Sequence, residues 1–120
     1  MKIKNYFTLC AIILLTDCAN TDNNIKIVGK WRGTEWLVNA APSSLEAAKA
    51  FFVFDEKGKY SFEYAGSKEE GTFKVENDML FTKPLNQQEI MVKILKLIKD
   101  SLVFDMNRSG QSERLTLRKI

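Results

Sequence analysis

The sequence offers few residues for acid–base, nucleophilic or metal chemistry. It contains no histidine, which removes the commonest general base, histidine-activated nucleophiles and nearly all zinc sites. Two carboxylate pairs, Asp55–Glu56 and Glu69–Glu70, are each adjacent in sequence, but neighbouring side chains of a strand point to opposite faces. Both pairs flank turns, where solvated charges explain them. We expect no enzymatic activity, no cofactor and no metal site.

The two cysteines of the chain lie in an N-terminal segment that is typical of a secretory signal. Lys2 and Lys4 precede Tyr6–Leu15, a run of ten mostly apolar residues. A helix that spans a bilayer core needs about 20 residues, so this run matches the apolar region of a signal peptide instead. The alternatives are a buried N-terminal helix or strand and, for the cysteines, a Cys10–Cys18 disulfide.

The residues Leu15-Thr16-Asp17-Cys18 resemble the bacterial lipobox, in which a small residue precedes a cysteine that is acylated and becomes the mature N-terminus. Asp17 departs from the family pattern, which prefers Gly, Ala or Ser at this position. The resemblance implies a protein of the bacterial cell envelope that is lipid-anchored at the outer membrane. The parts that it implies are a signal peptide over 1–17, a tether over 18–26 lipidated at Cys18, and a domain over 27–120.

The charges of the chain exclude one class of partner. Without residues 1–17 the chain keeps 16 basic and 14 acidic residues, and the two signs are interspersed. Nucleic-acid binding favours a basic patch or stripe, and the sequence has none. We therefore expect no nucleic-acid partner.

Period-two alternation dominates the chain after Gly29 and predicts strands. The segment from Tyr60 to Tyr64 alternates strictly between aromatic and polar residues, which is typical of a strand with one buried face. Turn signals recur roughly every 8–12 residues, the spacing expected of a sandwich or barrel. The eight predicted strands cover Trp31–Val38, Phe51–Phe54, Tyr60–Tyr64, Glu70–Val75, Met79–Thr82, Ile90–Ile98, Leu102–Phe104 and Arg114–Arg118.

Two segments show helical features. Ser43 and Glu46 form a capping-box pattern before three alanines, which predicts one short helix between strands 1 and 2. In residues 87–99 lysines recur every three residues, as on an amphipathic helix, but the β-branched residues there favour a strand. A turn at Lys99-Asp100 would also set Leu97 opposite Leu102 and Leu95 opposite Phe104.

Closure of the predicted sheet follows from its edges. Exposed edge strands invite aggregation, and a closed barrel has none. Eight strands give an interior just wide enough for side chains or one small ligand. The fold class that we expect is therefore all-β, a small eight-stranded antiparallel up-and-down barrel.

Gly29-Lys30-Trp31 resembles the Gly-x-Trp signature of lipocalins, and the motifs that follow resemble small bacterial lipocalin-like lipoproteins over residues 27–120. The resemblance implies that Gly29 and Trp31 close one barrel end, where Arg118 stacks on Trp31 and Arg114 is the second candidate; a solvent-facing Arg118 is the alternative. Unlike secreted relatives, this domain has no disulfide. The further motifs are Phe54–Tyr60, Glu70–Val75, Lys99–Phe104 and Leu115–Ile120.

The domain is rich in aromatic side chains, which support two hypotheses about the barrel interior. A small domain needs large side chains to be stable, and the same rings could line a pocket for a small hydrophobic ligand. Glu35 shares the strand face of Trp31, so it either points inward toward a partner or is turned to solvent by a bulge. The binding hypothesis competes with a filled barrel that docks an envelope protein or inhibits an enzyme. The candidate pocket residues are Glu35, Trp36, Tyr60, Phe62, Tyr64, Phe73 and Arg114.

Overall fold

The structure, a computed structural model, describes residues 23–120. The predicted signal peptide (1–17), its lipidation residue Cys18 and most of the predicted tether lie outside the described residues. No helix within residues 23–120 is long and apolar enough to span a membrane.

The described chain forms one antiparallel sheet whose strand order follows the chain, and the last strand pairs with the first. Eight of the strands make a closed up-and-down barrel, which confirms the predicted fold class. The ninth, β2, only extends the end of β1 by two paired residues. The strands are β1 (Gly29–Val38), β2 (Ala41–Pro42), β3 (Ala50–Phe54), β4 (Lys59–Tyr64), β5 (Ser67–Glu76), β6 (Met79–Pro84), β7 (Ile90–Leu97), β8 (Ser101–Arg108) and β9 (Gln111–Lys119).

Tight turns join most neighbouring strands, as the turn residues predict. Asp55 Oδ1 accepts backbone hydrogen bonds from Lys57 (2.8 Å) and Lys59 (2.9 Å), which orders the turn between β3 and β4. Ser109 and Gly110 both have positive φ, 53° and 82°, as a two-residue hairpin turn requires. Local turn chemistry therefore specifies the register of these hairpins.

The segment 87–99 contains strand β7 rather than a helix, with one correction to its predicted register. Leu97 pairs with Leu102 as predicted, but Ile94, not Leu95, pairs with Phe104. A bulge between Ile94 and Lys96 leaves Leu95 without a partner across the sheet, and its side chain is exposed. One extra residue in a strand shifts all later side chains to the other face.

The predicted short helix between strands 1 and 2 of the barrel is present as a single 3-10 turn, Ala47–Lys49. Ser43 does not cap it. The Ser43 hydroxyl donates to the Trp36 carbonyl (2.8 Å) instead, and the Glu46 backbone N–H donates to the Tyr64 hydroxyl oxygen (3.1 Å). The segment is thus a strap that lies across β1 rather than a regular α-helix.

One end of the barrel, which we call the closed end, is plugged by the start of the described chain. Residues 23–26 are helical, and Ile27 and Trp31 are fully buried. The Asn24 amide accepts from the Val75 N–H (2.8 Å) and donates to the Val75 carbonyl (2.9 Å), much as a strand partner would. Residues 23–26, part of the predicted tether, therefore pack against the closed end of the barrel.

The cation that lies over Trp31 is Lys119, which corrects the predicted Arg118. Trp31 pairs with Lys119 and Arg32 pairs with Arg118, and residues directly opposite share a face. Lys119 Nζ lies 5.3 Å from the centre of the Trp31 ring, whereas Arg118 is exposed. Gly29 leaves room for this contact, because a Cβ there would lie 2.6 Å from Lys119 Cε.

Candidate ligand cavity

The barrel interior contains a cavity of about 330 Å³ at the end opposite Trp31, which we call the open end. The turns 65–66 and 109–110 and the loop 85–89 lie at this end. Apolar and aromatic side chains form most of the wall. The lining residues are Trp36, Phe52, Tyr60, Phe62, Glu69, Leu80, Thr82, Ile90, Met91, Val92, Phe104, Met106, Asn107, Arg108 and Leu115.

A bulge in β1 decides which of its side chains face the cavity. Gly33 pairs with Leu117 and Glu35 pairs with Thr116, so Thr34 is an extra residue on β1. The extra residue reverses the alternation, and both tryptophans of β1, five positions apart, are buried. Glu35 is exposed, as the bulge alternative anticipated, and does not line the cavity.

The Trp36 indole has a buried carboxylate as its hydrogen-bond partner, which the sequence analysis did not identify. Glu113 is only 5% exposed, and its Oε1 accepts a hydrogen bond from Trp36 Nε1 at 2.8 Å. The Arg108 guanidinium lies 3.6 Å from the same oxygen. Arg114, a predicted pocket residue and the second candidate for stacking on Trp31, is exposed on the outer face. Alternation within β9 could have identified Glu113 as a buried residue, because Glu113 shares a face with Leu115 and Leu117.

A second polar group lies on the wall formed by β4, β5 and β6. The Tyr60 hydroxyl donates to Glu69 Oε2 at 2.7 Å, and Thr82 beside them on the wall is buried. Burial raises the pKa of Tyr60 well above its usual range, and the hydrogen bond to Glu69 adds to the shift. Glu69 thus presents a carboxylate acceptor to an otherwise largely apolar cavity.

The remaining predicted pocket residues lie at different depths. Trp36, Tyr60 and Phe62 line the cavity. Tyr64 packs edge-on against Trp36, with ring centres 5.5 Å apart, and lines the mouth rather than the cavity. Phe73 lies nearer the closed end, where it packs against Phe54 at 4.9 Å, and is core.

The cavity continues into a wider groove at the open end, which we call the mouth. The mouth has a volume of about 730 Å³ and shares Phe62 and Glu69 with the cavity. Its other walls come from the end of β4, the first part of β5, the last residue of β6 and the loop that follows it. The mouth is lined by Phe62, Tyr64, Ser67, Lys68, Glu69, Glu70, Pro84, Leu85 and Gln87.

A closed antiparallel barrel with one end plugged and a cavity at the other defines a lipocalin-type architecture, and the comparisons with known proteins agree. The sequence model of the family described as "Lipocalin-like domain" matches residues 27–104. The chain therefore belongs to the lipocalin-like domain family, as the sequence resemblance predicted.

Two solved structures share the fold. A lipocalin-like protein from Bacteroides uniformis ATCC 8492 superimposes with a TM-score of 0.62 at 16% identity, covering 79% of this chain and 99% of its own. An uncharacterized protein from Bacteroides eggerthii DSM 20697 gives a TM-score of 0.61 at 16% identity, covering 78% of this chain and 98% of its own. No curated protein matches the sequence.

Proposed function

We propose that this barrel is a non-catalytic binding protein that holds one small apolar ligand in the cavity at its open end. The cavity carries the proposal: about 330 Å³ lies within the usual size range of small-molecule sites. Rings of Trp36, Phe52, Phe62 and Phe104 form much of its wall, and such walls favour apolar ligands. Members of the lipocalin-like family are typically binding proteins without catalytic activity.

The polar groups of the wall favour a neutral ligand with a hydrogen-bond donor. Glu69 is an acceptor at the boundary between cavity and mouth, and its neighbour Tyr60 already donates to it. The one cationic group of the lining, Arg108, lies beside Glu113. A ligand carboxylate would face the Glu69 charge, whereas an amine or hydroxyl would complete its hydrogen bonding.

A fluorescence titration tests the ligand proposal. N-phenyl-1-naphthylamine, a neutral apolar amine, should bind saturably at one site. Val92→Phe places a ring in the cavity and should weaken binding at least about tenfold, the effect of 1.4 kcal/mol. Lys93→Phe puts the same ring on the adjacent, exposed residue and serves as the matched control. Absence of saturable binding in the wild type would instead favour the filled barrel that docks an envelope protein.

We further propose that the protein is a lipoprotein of the bacterial cell envelope, anchored through Cys18 at the outer membrane. The lipobox resemblance supports this location. Asn23 lies at the closed end, where its amide donates to the Asn77 carbonyl, so an anchor a few residues earlier would leave the mouth unobstructed. Mass spectrometry of membrane-extracted protein should find a diacylglyceryl group on an N-terminal Cys18. Cys18→Ser should abolish the modification and Cys10→Ser should not.

A further inference from the structure

The barrel wall is incomplete between β7 and β8. The pairing of these strands joins Lys93–Leu97 to Leu102–Asp105 and stops there. Toward the open end, residues 90–92 pair with β6 alone, and residues 106–108 pair with β9 alone. Three residues on each strand therefore face one another without ladder pairs. We call this opening the slot.

The lining of the cavity shows that it reaches the surface through the slot. Val92 and Met106 belong to the inward-facing sets of β7 and β8, and both line the cavity. Met91 and Asn107 line it as well, although they alternate with the inward residues and are exposed. Successive side chains of an intact wall point to opposite sides. Contact of both sets with one cavity agrees with the opening that the missing ladder pairs leave between β7 and β8.

The β7 side of the slot is apolar, whereas Asn107 and Arg108 on the β8 side are polar. Met91 is 61% exposed and Ile90 is 46% exposed. Leu85, which lines the mouth, is 65% exposed, so apolar side chains occur from the mouth to the slot. Exposed apolar patches on a small domain commonly mark sites where a ligand or another molecule binds. Unpaired strand residues in the wall also lack the protection that full closure gives.

We infer that the slot is a second opening of the ligand site, through which the end of a linear apolar chain leaves the barrel. The ligand class is then an elongated, unbranched chain with a donor head near Glu69 and a tail between β7 and β8, longer than the cavity alone can hold. This inference rests on the proposed function, because it requires that the cavity binds a ligand.

A chain-length series tests the slot. Neutral primary alcohols from hexanol to hexadecanol are used to displace bound N-phenyl-1-naphthylamine from the full chain. Each buried methylene should raise the affinity up to about fourfold, the equivalent of roughly 0.8 kcal/mol. With the slot open, affinity should keep rising beyond the length that fills the cavity.

A removable clamp separates the slot from the mouth. Met91→Cys and Asn107→Cys, in a Cys10→Ser and Cys18→Ser background, place the two thiols of the protein on opposite sides of the slot. Oxidation should leave short alcohols bound as before and reduce the affinity of the longest at least about tenfold; reduction should restore it. Lys93→Cys with Asp105→Cys, the last paired positions, is the matched control and should have no effect.

The outcomes separate the two proposals. If neither the probe nor any alcohol binds the wild type, the proposed function fails. If short alcohols bind but affinity falls once the cavity is full, the slot does not admit a chain, whether or not the clamp forms. If long alcohols bind equally with the clamp open and closed, their tails leave through the mouth, and the slot inference is wrong.

Discussion

At the scale of single residues, buried polar groups determine the open end of the barrel together with the aromatic rings. The domain buries Glu113 and Thr82 among its core residues, and no described side-chain nitrogen or oxygen that is buried lacks a hydrogen-bond partner. A buried polar group that loses its partner costs about 1–3 kcal/mol. The polar pairs therefore set both the stability of the open end and the chemistry of its wall.

Glu113 should be replaceable only by another acceptor. Glu113→Leu leaves the Trp36 indole N–H without its partner at 2.8 Å, and we expect a loss of about 1–3 kcal/mol in the free energy of unfolding. Glu113→Gln keeps an acceptor oxygen and should lose less than half as much. Urea denaturation of both variants measures the difference. Equal losses would show that the contact with Trp36 does not stabilise the fold.

Tyr60 should make the stability fall at alkaline pH. Burial raises the pKa of Tyr60 above the ordinary value of 10.0, so the folded protein holds the proton more tightly than the unfolded chain. This contribution is complete below about pH 10 and is lost as pH rises above it. Tyr60→Phe should be less stable than the wild type at pH 7 by about 1–3 kcal/mol, and the difference should narrow above pH 10. Urea denaturation across this range checks it; a constant difference would contradict the burial of the phenol.

At the scale of elements, the strap depends on one glycine of β1. A Cβ on Gly33 would lie 2.2 Å from the Ala47 carbonyl oxygen, a backbone atom that cannot move without the strap. Overpacking of this kind typically costs about 1–3 kcal/mol. Gly33→Ala should therefore destabilise the protein by that amount.

Gly66→Ala is the comparison variant, because it measures the loss of stability when a glycine is replaced at a position where the new methyl group meets no neighbouring atom. Nothing lies within 4 Å of a Cβ at Gly66, although its φ is 90°, so only backbone strain of about 1–2 kcal/mol is expected there. Thermal unfolding compares the two variants. The strap also holds the Trp36 carbonyl through the Ser43 hydroxyl, so only Gly33→Ala should shift the tryptophan fluorescence of the folded state. An unchanged spectrum would argue against a fixed strap.

The elements also show what the sequence could and could not predict. All eight barrel strands were predictable, because alternation and turn residues are local signals. The bulge at Leu95 was not, and the bulge at Thr34 could be raised only as one of two alternatives for Glu35, since an inserted residue leaves no mark in the composition of a strand. Each bulge changes which side chains face inward. The two alternatives for the direction of Glu35 and the incorrect pairing of Leu95 with Phe104 both follow from these bulges.

The closed end illustrates the same limit over a longer distance. Trp31 of the Gly-x-Trp motif is fully buried, but the cation that lies over its ring depends on the register of β1 against β9, strands separated by most of the chain. A shift of one residue exchanges Arg118 for Lys119. The Asn24 contacts with Val75 span 51 positions, and no local pattern predicts a pairing at that separation.

At the scale of the whole molecule, the two ends of the barrel differ in how completely side chains fill them. The closed end has a fully buried tryptophan and a helical plug, whereas the open end has a cavity, a mouth and an incomplete wall. A barrel can leave one end unfilled only if the other supplies enough buried apolar surface, because small domains are marginally stable. We therefore expect local stability to decrease from the closed end to the open end.

The plug provides the test of that expectation. Asn24→Ala removes both hydrogen bonds to Val75, and we expect the free energy of unfolding to fall by about 1–3 kcal/mol. Asn23→Ala removes one exposed hydrogen bond, to the Asn77 carbonyl, and should change it by less than about 0.5 kcal/mol. Urea denaturation measures both variants. Because a plug that supports the whole barrel shares its unfolding transition, Asn24→Ala should speed amide hydrogen exchange at Val75 and also at Leu115, which lines the cavity toward the open end. Faster exchange at Val75 alone would mean that the plug merely covers the barrel, and that the open end must be stabilised by its own polar pairs.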